Sequence, residues 1–106
     1  MKYQISDKGT DYMRCAIKTT LLLNVLHLSL TDNLLELRDI KIISNMIRKN
    51  PPLRILNLSH NNFDHDCALV LGDALITNRR LQSLDISFNK LGDLGIRNLI
   101  YSMLEV

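Results

Sequence analysis

The chain contains 106 residues, enough for one domain with one hydrophobic core. Its 13 basic and 11 acidic side chains leave a net charge of +2, which is too small to predict a nucleic-acid partner or an anionic membrane. No apolar run approaches the ~18 residues of a membrane span, and the polar amino terminus predicts no signal peptide. Two widely separated cysteines, Cys15 and Cys67, favour free thiols in a reducing, cytoplasmic compartment.

Residues 1–22 are predicted to form the tail of a repeat unit that ends in a helix. Its apolar residues have the spacing of one helix face. They are Met13, Ala16 and Ile17. Asp7 precedes this stretch and is predicted to cap the helix at its amino end.

The second unit is predicted to span residues 23–52, with a strand near 25–28. Its apolar positions 1, 4 and 6 are assigned to Leu23, Leu26 and Leu28. Thr31 is assigned to position 9, and a two-residue insertion between Leu30 and Leu35 brings position 11 onto Leu35. A helix follows, because its apolar residues are spaced i, i+3, i+6, i+7. They are Ile40, Ile43, Met46 and Ile47. Asn50 is predicted to end this helix in a left-handed conformation, before Pro51 and Pro52.

The third unit is predicted to span residues 53–80, with a strand near 55–58 and Asn61 at position 9. Its apolar positions 1, 4, 6 and 11 are Leu53, Leu56, Leu58 and Phe63. Either Asp64 or Asp66 is predicted to cap the following helix, and Asn78 to end it in a left-handed conformation. The buried face of that helix is predicted to carry Ala68, Leu71, Ala74 and Leu75.

The fourth unit, residues 81–106, repeats the pattern of the third, with a strand near 83–86. The corresponding residues are Leu81, Leu84, Ile86, Asn89 and Leu91, then Ile96, Leu99, Ser102 and Met103. Asp93 is predicted to cap the helix. Leu26, Leu56 and Leu84 are predicted to stack inward across the units, as are Leu28, Leu58 and Ile86. The position-9 asparagines are predicted to bond to backbone groups that the turn leaves unpaired.

The stretch 81–96 and its counterparts resemble leucine-rich repeats of the long, ribonuclease-inhibitor-like type. Similar repeats occur in subunits of ciliary dynein-regulating complexes, in nucleotide-binding innate-immune receptors and in tropomodulin-like actin cappers. The resemblance implies an α/β fold in which residues 1–106 form a single array, a curved horseshoe segment of a solenoid. Parallel strands would line its concave face and helices its convex face. Neither end carries a polar cap, which predicts a fragment of a longer chain or end-to-end stacking.

The segment 60–67 holds five potential metal ligands, but their spacing matches no zinc pattern and the repeat explains most of them. Cys67 near His65 could suggest a thiol nucleophile. The alternative is a structural cysteine that takes the place of Gly95 in the next unit. No nucleophile elbow or glycine-rich phosphate loop is present in the sequence. The chain is therefore predicted to have no catalytic residue, no metal and no cofactor, and not to be an enzyme.

Positions that the repeat leaves free predict a protein-binding surface on the strands. The predicted contact residues, called the strand patch below, are Arg54, Ile55, Asn57, His60, Gln82, Asp85 and Phe88. Phe88 is the predicted anchor, because an aromatic side chain at the centre of a patch often supplies much of the affinity. The alternative is that Phe88 folds into the core beneath the Asn89 turn. Val25 and Leu30 are also predicted to lie exposed on this face.

The helical side offers a rival surface. Tyr12, Ile42 and Val70 share one helical position beside the buried stripe, where lateral packing between helices is the alternative to a second binding face. The basic residues near the helix ends are predicted to form a solvated edge. They are Arg48, Lys49, Arg79 and Arg80.

Together these features predict a protein–protein interaction module or scaffold that docks one protein partner on its concave sheet. Two alternatives stay open. One is a structural subunit of a cytoskeletal or ciliary assembly, which would associate through its ends. The other is a regulator of a partner enzyme, as in the inhibitors and GTPase activators that resemble this fold.

Overall fold

Strands and helices alternate along the protein. The computed structural model describes residues 15, 18 and 25–104, except for the side chains of residues 98 and 100–104. The elements are β1 (His27–Ser29), α1 (Leu37–Arg48), β2 (Ile55–Asn57), α2 (His65–Thr77), β3 (Ser83–Asp85) and α3 (Gly92–Leu104). The predicted unit 1–22, with Asp7 and Tyr12, lies outside the described residues. Among the helices that are described, none is long and apolar enough to cross a membrane.

The three strands form one parallel sheet in the order β1-β2-β3, as the repeats predict. Leu28 lies opposite Leu56, and Leu56 lies opposite Leu84, so the same sequence offset separates each strand from the next. Backbone pairing continues past the strand ends. The amide of Leu30 donates to the carbonyl of Asn57 at 2.8 Å, and that of Leu58 donates to Asp85 at 2.7 Å. A constant offset means that the three units share one register.

This register corrects the predicted boundary of the second unit. Since Leu28 pairs with Leu56, position 1 falls on Val25 rather than Leu23, and the unit corresponds to residues 25–52. No insertion is needed, because Leu35 lies as far before Phe63 as Leu28 lies before Leu56. The predicted register of the second unit is shifted by two residues within the leucine-rich stretch 21–30. A slip of two leaves the alternation of faces intact, so the hydrophobic pattern could not reveal it.

The correction changes which side chains enter the core. Val25 and Leu30, predicted to be exposed, are buried, with Leu30 fully so. Leu26, predicted to point inward, is 55% exposed because it occupies position 2. Leu28, Leu56 and Leu58 are fully buried, and each such burial contributes roughly 1.5–3 kcal/mol to folding.

The helices bury the predicted face against the sheet and against one another. Its buried members are Ile40, Ile43, Met46, Ile47, Ala68, Leu71, Ala74, Leu75 and Leu99. Ile96 departs from the prediction and is 47% exposed. Its counterpart Ile40 lines the same narrow apolar space as Phe63 and Cys67 of the following unit. No further unit covers α3 within the described part of the chain, so Ile96 has no such neighbours.

The helix amino ends are capped at equivalent positions in the first two helices. Asp64, not Asp66, caps α2, where its carboxylate accepts a hydrogen bond from the Cys67 amide at 3.1 Å. That bond lowers the pKa of Asp64 from its ordinary value. Glu36 is the residue before α1, and its amide donates to the Asp39 carboxylate at 2.9 Å. The prediction for Asp93 is wrong, since α3 begins at Gly92 and Asp93 lies in its first turn.

Candidate protein-interaction surface

Asparagine side chains close the turns that follow β2 and β3, as predicted. The Asn61 amide nitrogen lies 3.0–3.1 Å from the carbonyls of Leu30, Leu58 and Ser59. Its oxygen accepts from the amides of Asn33 and Leu35 at 2.9 and 3.0 Å. The side chain therefore joins two units and satisfies backbone groups that would otherwise be buried without partners.

Asn89 makes the same bonds one unit later. Its amide nitrogen contacts the carbonyls of Leu58, Ile86 and Ser87, and its oxygen accepts from the Asn61 and Phe63 amides at 3.2 Å. The repetition shows that the turn after each strand has one geometry.

In the second unit the ladder residue is Asn33, and the prediction of Thr31 at position 9 is wrong. Asn33 lies 28 residues before Asn61, and its amide nitrogen donates to the Thr31 carbonyl at 3.1 Å. Thr31 instead takes position 7, the serine position of later units. Its hydroxyl donates to the Ser59 carbonyl and lies 2.9 Å from the Ser59 hydroxyl. The same two-residue slip explains this error.

The ladder turns force an unusual conformation on position 8, directly before each asparagine. The φ angles of Asp32, His60 and Phe88 are +58°, +56° and +56°, in the left-handed region. Aspartate and histidine tolerate this region comparatively well, whereas a bulky aromatic residue there is uncommon. The structure therefore places Phe88 at a position where its backbone is strained.

Phe88 lies on the surface and not in the core. Its side chain is 74% exposed, and its ring stacks on His60 with 4.3 Å between centroids and 11° between planes. The alternative in which Phe88 folds beneath the Asn89 turn is therefore wrong. The stacked pair forms an exposed aromatic ridge beside the carboxyl ends of β2 and β3.

Asn57 and Asp85, the patch residues at position 5, are held by the serine two residues later. The Asn57 side-chain oxygen accepts from the Ser59 amide at 3.0 Å and from its hydroxyl at 2.7 Å. Asp85 accepts from the Ser87 amide and hydroxyl at 3.0 and 2.6 Å. These bonds, the hydroxyl bond first, lower the pKa of Asp85 and keep it ionised at neutral pH. Both side chains are thus held in one orientation on the strand face.

The remaining patch residues lie at the start of the strands. Arg54, Ile55 and Gln82 are exposed on the adjacent strand segments, with Ile55 41% exposed. Register places Arg54 and Gln82 together with Leu26 at position 2 of successive units. The prediction omitted Leu26 because it assigned that residue to the core. The corrected spacing, which is the same between every pair of neighbouring units, would have identified it.

Three arginines meet at this end of the sheet. Arg54, Arg79 and Arg80 line one groove together with Leu26, Pro52 and Gln82. Arg79 and Arg80 are exposed, as predicted for a solvated edge, but the prediction did not place them beside Arg54 in one groove. Arg48 differs, because its guanidinium is paired with Asp73 at 2.9 Å.

On the helical side, Ile42 and Val70 are half-buried and packed against the core, which favours lateral packing. Leu69 beside them is 50% exposed.

The segment 60–67 is divided between surface and interior. His60 belongs to the aromatic ridge, Phe63 lies in the core, and Asp64 caps a helix. Burial raises the pKa of the Cys67 thiol to about 11. A thiol with that pKa is protonated at neutral pH, which favours the structural interpretation of Cys67. In the described portion of the chain, no group of three or more His, Cys, Asp or Glu residues could hold a metal ion.

Parallel strands at a constant spacing, each followed by an asparagine-closed turn and a helix, define a leucine-rich-repeat fold. The chain belongs to the leucine-rich-repeat proteins. A sequence model described as "Leucine Rich repeat" matches residues 49–66 and 77–99.

A mouse protein described as "NACHT, LRR and PYD domains-containing protein 14" (Mus musculus) is 39% identical over 79 residues. The match covers 73% of this chain and 8% of the mouse protein, so the chain spans a small fraction of that relative's length.

Proposed function

We propose that this chain is a protein-interaction module, of the ribonuclease-inhibitor-like type, that docks one protein partner on the strand patch as part of a scaffold. Leucine-rich repeats generally mediate protein–protein interaction. The long type is supported by the length of the unit, which holds a full helix after each strand. Binding rather than catalysis is proposed because the exposed chemistry suits contact with a protein and Cys67 is a protonated, buried thiol.

The observation that carries this proposal is the conformation and exposure of Phe88. Holding a bulky residue in the left-handed region costs roughly 1–2 kcal/mol. At 74% exposure, little burial offsets that cost, and the stack on His60 offsets only part of it. A strained, exposed aromatic residue fits a binding role better than a role in folding, because strain of this kind collects at functional sites.

The chemistry around Phe88 is that of a contact surface. Ile55 adds apolar area on the neighbouring strand, while Asn57 and Asp85 add polar side chains that Ser59 and Ser87 hold in place. An aromatic anchor surrounded by polar groups is the usual arrangement of a binding hot spot. Strands lie about 4.8 Å apart, so the patch is continuous across β2 and β3.

The test compares retention of proteins from a native extract on the immobilised wild-type chain and on two variants. Phe88→Ala removes the anchor, and Leu69→Ala removes an exposed apolar side chain of the helical side as a matched control. A retained protein is identified by mass spectrometry, purified and titrated. We expect Phe88→Ala to weaken its binding by about 30-fold, equivalent to ~2 kcal/mol, and Leu69→Ala to have no effect.

Unfolding temperatures of the same proteins show whether a variant binds less because its affinity is lower or because less of it is folded. If Phe88→Ala binds as tightly as the wild type while Leu69→Ala loses affinity, the helical side is the binding surface and this proposal is wrong.

A second candidate is a structural subunit of a cytoskeletal or ciliary assembly that associates through its last unit. Leu94 and Ile96 of α3 are 60% and 47% exposed, which favours association at this edge. Sedimentation at increasing concentration tests it. Self-association that Ile96→Glu abolishes would support stacking, whereas a monomer at all concentrations would oppose it. Regulation of a partner enzyme is a form of the first proposal, and a cytoplasmic location is proposed for both.

A further inference from the structure

The groove at the amino ends of the strands has a chemistry distinct from that of the aromatic ridge. It is lined by Leu26, Pro52, Arg54, Arg79, Arg80 and Gln82 and is open to solvent. Position 2 of three successive units supplies one wall, and the loops before β2 and β3 supply the other. The groove therefore follows the direction in which the units stack.

The loop that carries Arg79 and Arg80 is fixed by two asparagines. The Arg79 amide donates to the Asn50 side-chain oxygen at 2.9 Å, and the Arg80 amide donates to that of Asn78 at 3.0 Å. Asn78 is buried, and its amide nitrogen donates to the Ile47 carbonyl at 3.0 Å. The backbone of both arginines is thus held in place before any ligand binds, which reduces the entropy that binding must overcome.

The arginines of the groove have no acidic partner in the part of the chain that the structure describes. Arg54, Arg79 and Arg80 are exposed, and none forms an ion pair with an acidic residue within the described residues. Arg48 on α1 shows the contrast, because Asp73 neutralises it. Three guanidinium groups without acidic partners favour a ligand that supplies carboxylates, since the planar guanidinium can bind a carboxylate through two hydrogen bonds.

We propose that this groove binds an acidic segment of a protein partner, with carboxylates on Arg54, Arg79 and Arg80 and an apolar side chain against Leu26. The proposal rests on the proposed function and specifies the partner's chemistry. Leu26 is 55% exposed and, with Pro52, gives the groove an apolar wall that a peptide side chain can cover. A nucleic-acid strand fits less well, because the groove-lining residues include no aromatic ring on which a base could stack.

The charges of the groove and of the strand patch also determine the orientation of the bound partner. Arg54 and Gln82 belong to both the groove and the strand patch, so the two surfaces are continuous. Asp85 lies three residues beyond Gln82, roughly 10 Å along an extended strand, and its ionised carboxylate repels a second acidic group there. The acidic part of the partner therefore contacts the amino ends of the strands, and its apolar or basic part reaches Phe88.

The proposal is tested with a defined probe, a fluorescein-labelled peptide of four Asp-Glu-Leu triplets, against a matched peptide of four Asn-Gln-Leu triplets. The double variant R79Q/R80Q removes two charges without altering the backbone bonds that hold the loop. R97Q removes one exposed charge from α3 as the control. By fluorescence anisotropy, we expect the acidic peptide to bind at least tenfold more tightly than the neutral one, and R79Q/R80Q to weaken it about tenfold. R97Q should leave the affinity unchanged, and R54Q should weaken it.

Three results would overturn the proposal. The two peptides could bind equally, R79Q/R80Q could bind the acidic peptide as tightly as the wild type, or single-stranded oligothymidine could displace the peptide at a lower concentration than unlabelled peptide does. Leu69→Ala should leave peptide affinity unchanged, since Leu69 lies on the helical side and does not line the groove, and a loss there would also contradict the assignment. A failure in this assay leaves the strand-patch proposal intact, because that proposal is judged on Phe88→Ala with a purified partner.

Discussion

Asparagines close the loops at both ends of the strands, but the two sets act differently. At the carboxyl ends, Asn61 and Asn89 make equivalent bonds one unit apart. At the amino ends, Asn50 and Asn78 also occupy equivalent positions of successive units, yet their backbones differ. Asn50 is left-handed, with φ +49°, as predicted, whereas Asn78 is extended at φ −85° and ψ 130°, against the prediction.

The bonds of the amino-end pair explain the difference. Asn50 reaches into the following unit, where it bonds to the Thr77 carbonyl and the Arg79 amide. Asn78 reaches back to the Ile47 carbonyl of the second unit and accepts from the amide of Leu81, the first residue of the fourth unit. The carboxyl-end asparagines repeat one another's bonds, whereas within the described residues the amino-end asparagines Asn50 and Asn78, called the interlocked pair below, each bond to the other's unit. Equal spacing in a repeat therefore predicts an equal role only where each side chain bonds to equivalent groups.

The largest effect is expected from the ladder. Asn61→Ala should lower the free energy of unfolding by about 2–3 kcal/mol, because backbone groups of two units lose their partners in a buried place. Asn89→Ala should cost about 1–2 kcal/mol, since its turn is partly exposed. Thr31→Ala should cost less than either. Urea unfolding followed by circular dichroism measures all three, and equal losses at Asn61 and Thr31 would show that the ladder is not the stabilising element.

A smaller effect is expected from the interlocked pair, and it should be unequal. Asn78→Ala should cost about 1–2 kcal/mol, because the buried Ile47 carbonyl and the Leu81 amide lose their partner. Asn50→Gly keeps a residue suited to the left-handed backbone and loses only exposed bonds, so it should cost about 0.5 kcal/mol. Unfolding curves that give equal losses would contradict the distinction between the two asparagines.

Most of the fold could be predicted, because the third and fourth units keep every ladder position at the spacing that separates Asn61 from Asn89. The second unit was predicted in the wrong register, because the leucines of residues 21–30 fit the repeat pattern in two ways that differ by two residues. Asn33 distinguishes the two registers, because it lies 28 residues before Asn61 and takes position 9 without the assumed insertion.

The candidate site was predicted unevenly for a related reason. The exposure of Phe88 followed from a repeat that leaves position 8 free, and the structure confirms it. The arginine groove was missed because Arg54 is separated in sequence from Arg79 and Arg80. They meet only where position 2 of one unit faces the loop before the next. A repeat alignment compares equivalent positions, whereas this groove is lined by positions that are not equivalent.

The uniform geometry of the ladder turn predicts a gain in stability at position 8. Phe88→Asn should raise the free energy of unfolding by about 0.5–1 kcal/mol, because asparagine tolerates a φ of +56° better than phenylalanine does. Phe88→Ala keeps a residue that disfavours this conformation and should gain less. If the asparagine variant is destabilised instead, the stack on His60 contributes more than the strain costs.

The smallest effect concerns position 5, where two units use different side chains to accept hydrogen bonds from the serine at position 7. The serine at position 7 donates to a neutral amide in the third unit, Asn57, and to a carboxylate in the fourth, Asp85. Bonds from Ser87 lower the folded-state pKa of Asp85 below its ordinary value of 3.8.

A lowered pKa in the folded state means that the carboxylate contributes stability which is complete above the unfolded-state pKa. That contribution is lost as the pH falls through the lowered folded-state value. Because Asp85 is well exposed, solvent screening keeps it small. Asp85→Asn copies the third unit and should unfold with a weaker dependence on pH below about 4 than the wild type. Asn57→Asp should strengthen that dependence. The Asp64 cap also has a lowered pKa but is common to all three proteins, so it cancels in the comparison. Stability measured against pH for the three proteins gives the result, and superimposable curves would show that the Ser87 bonds do not distinguish the two protonation states of Asp85.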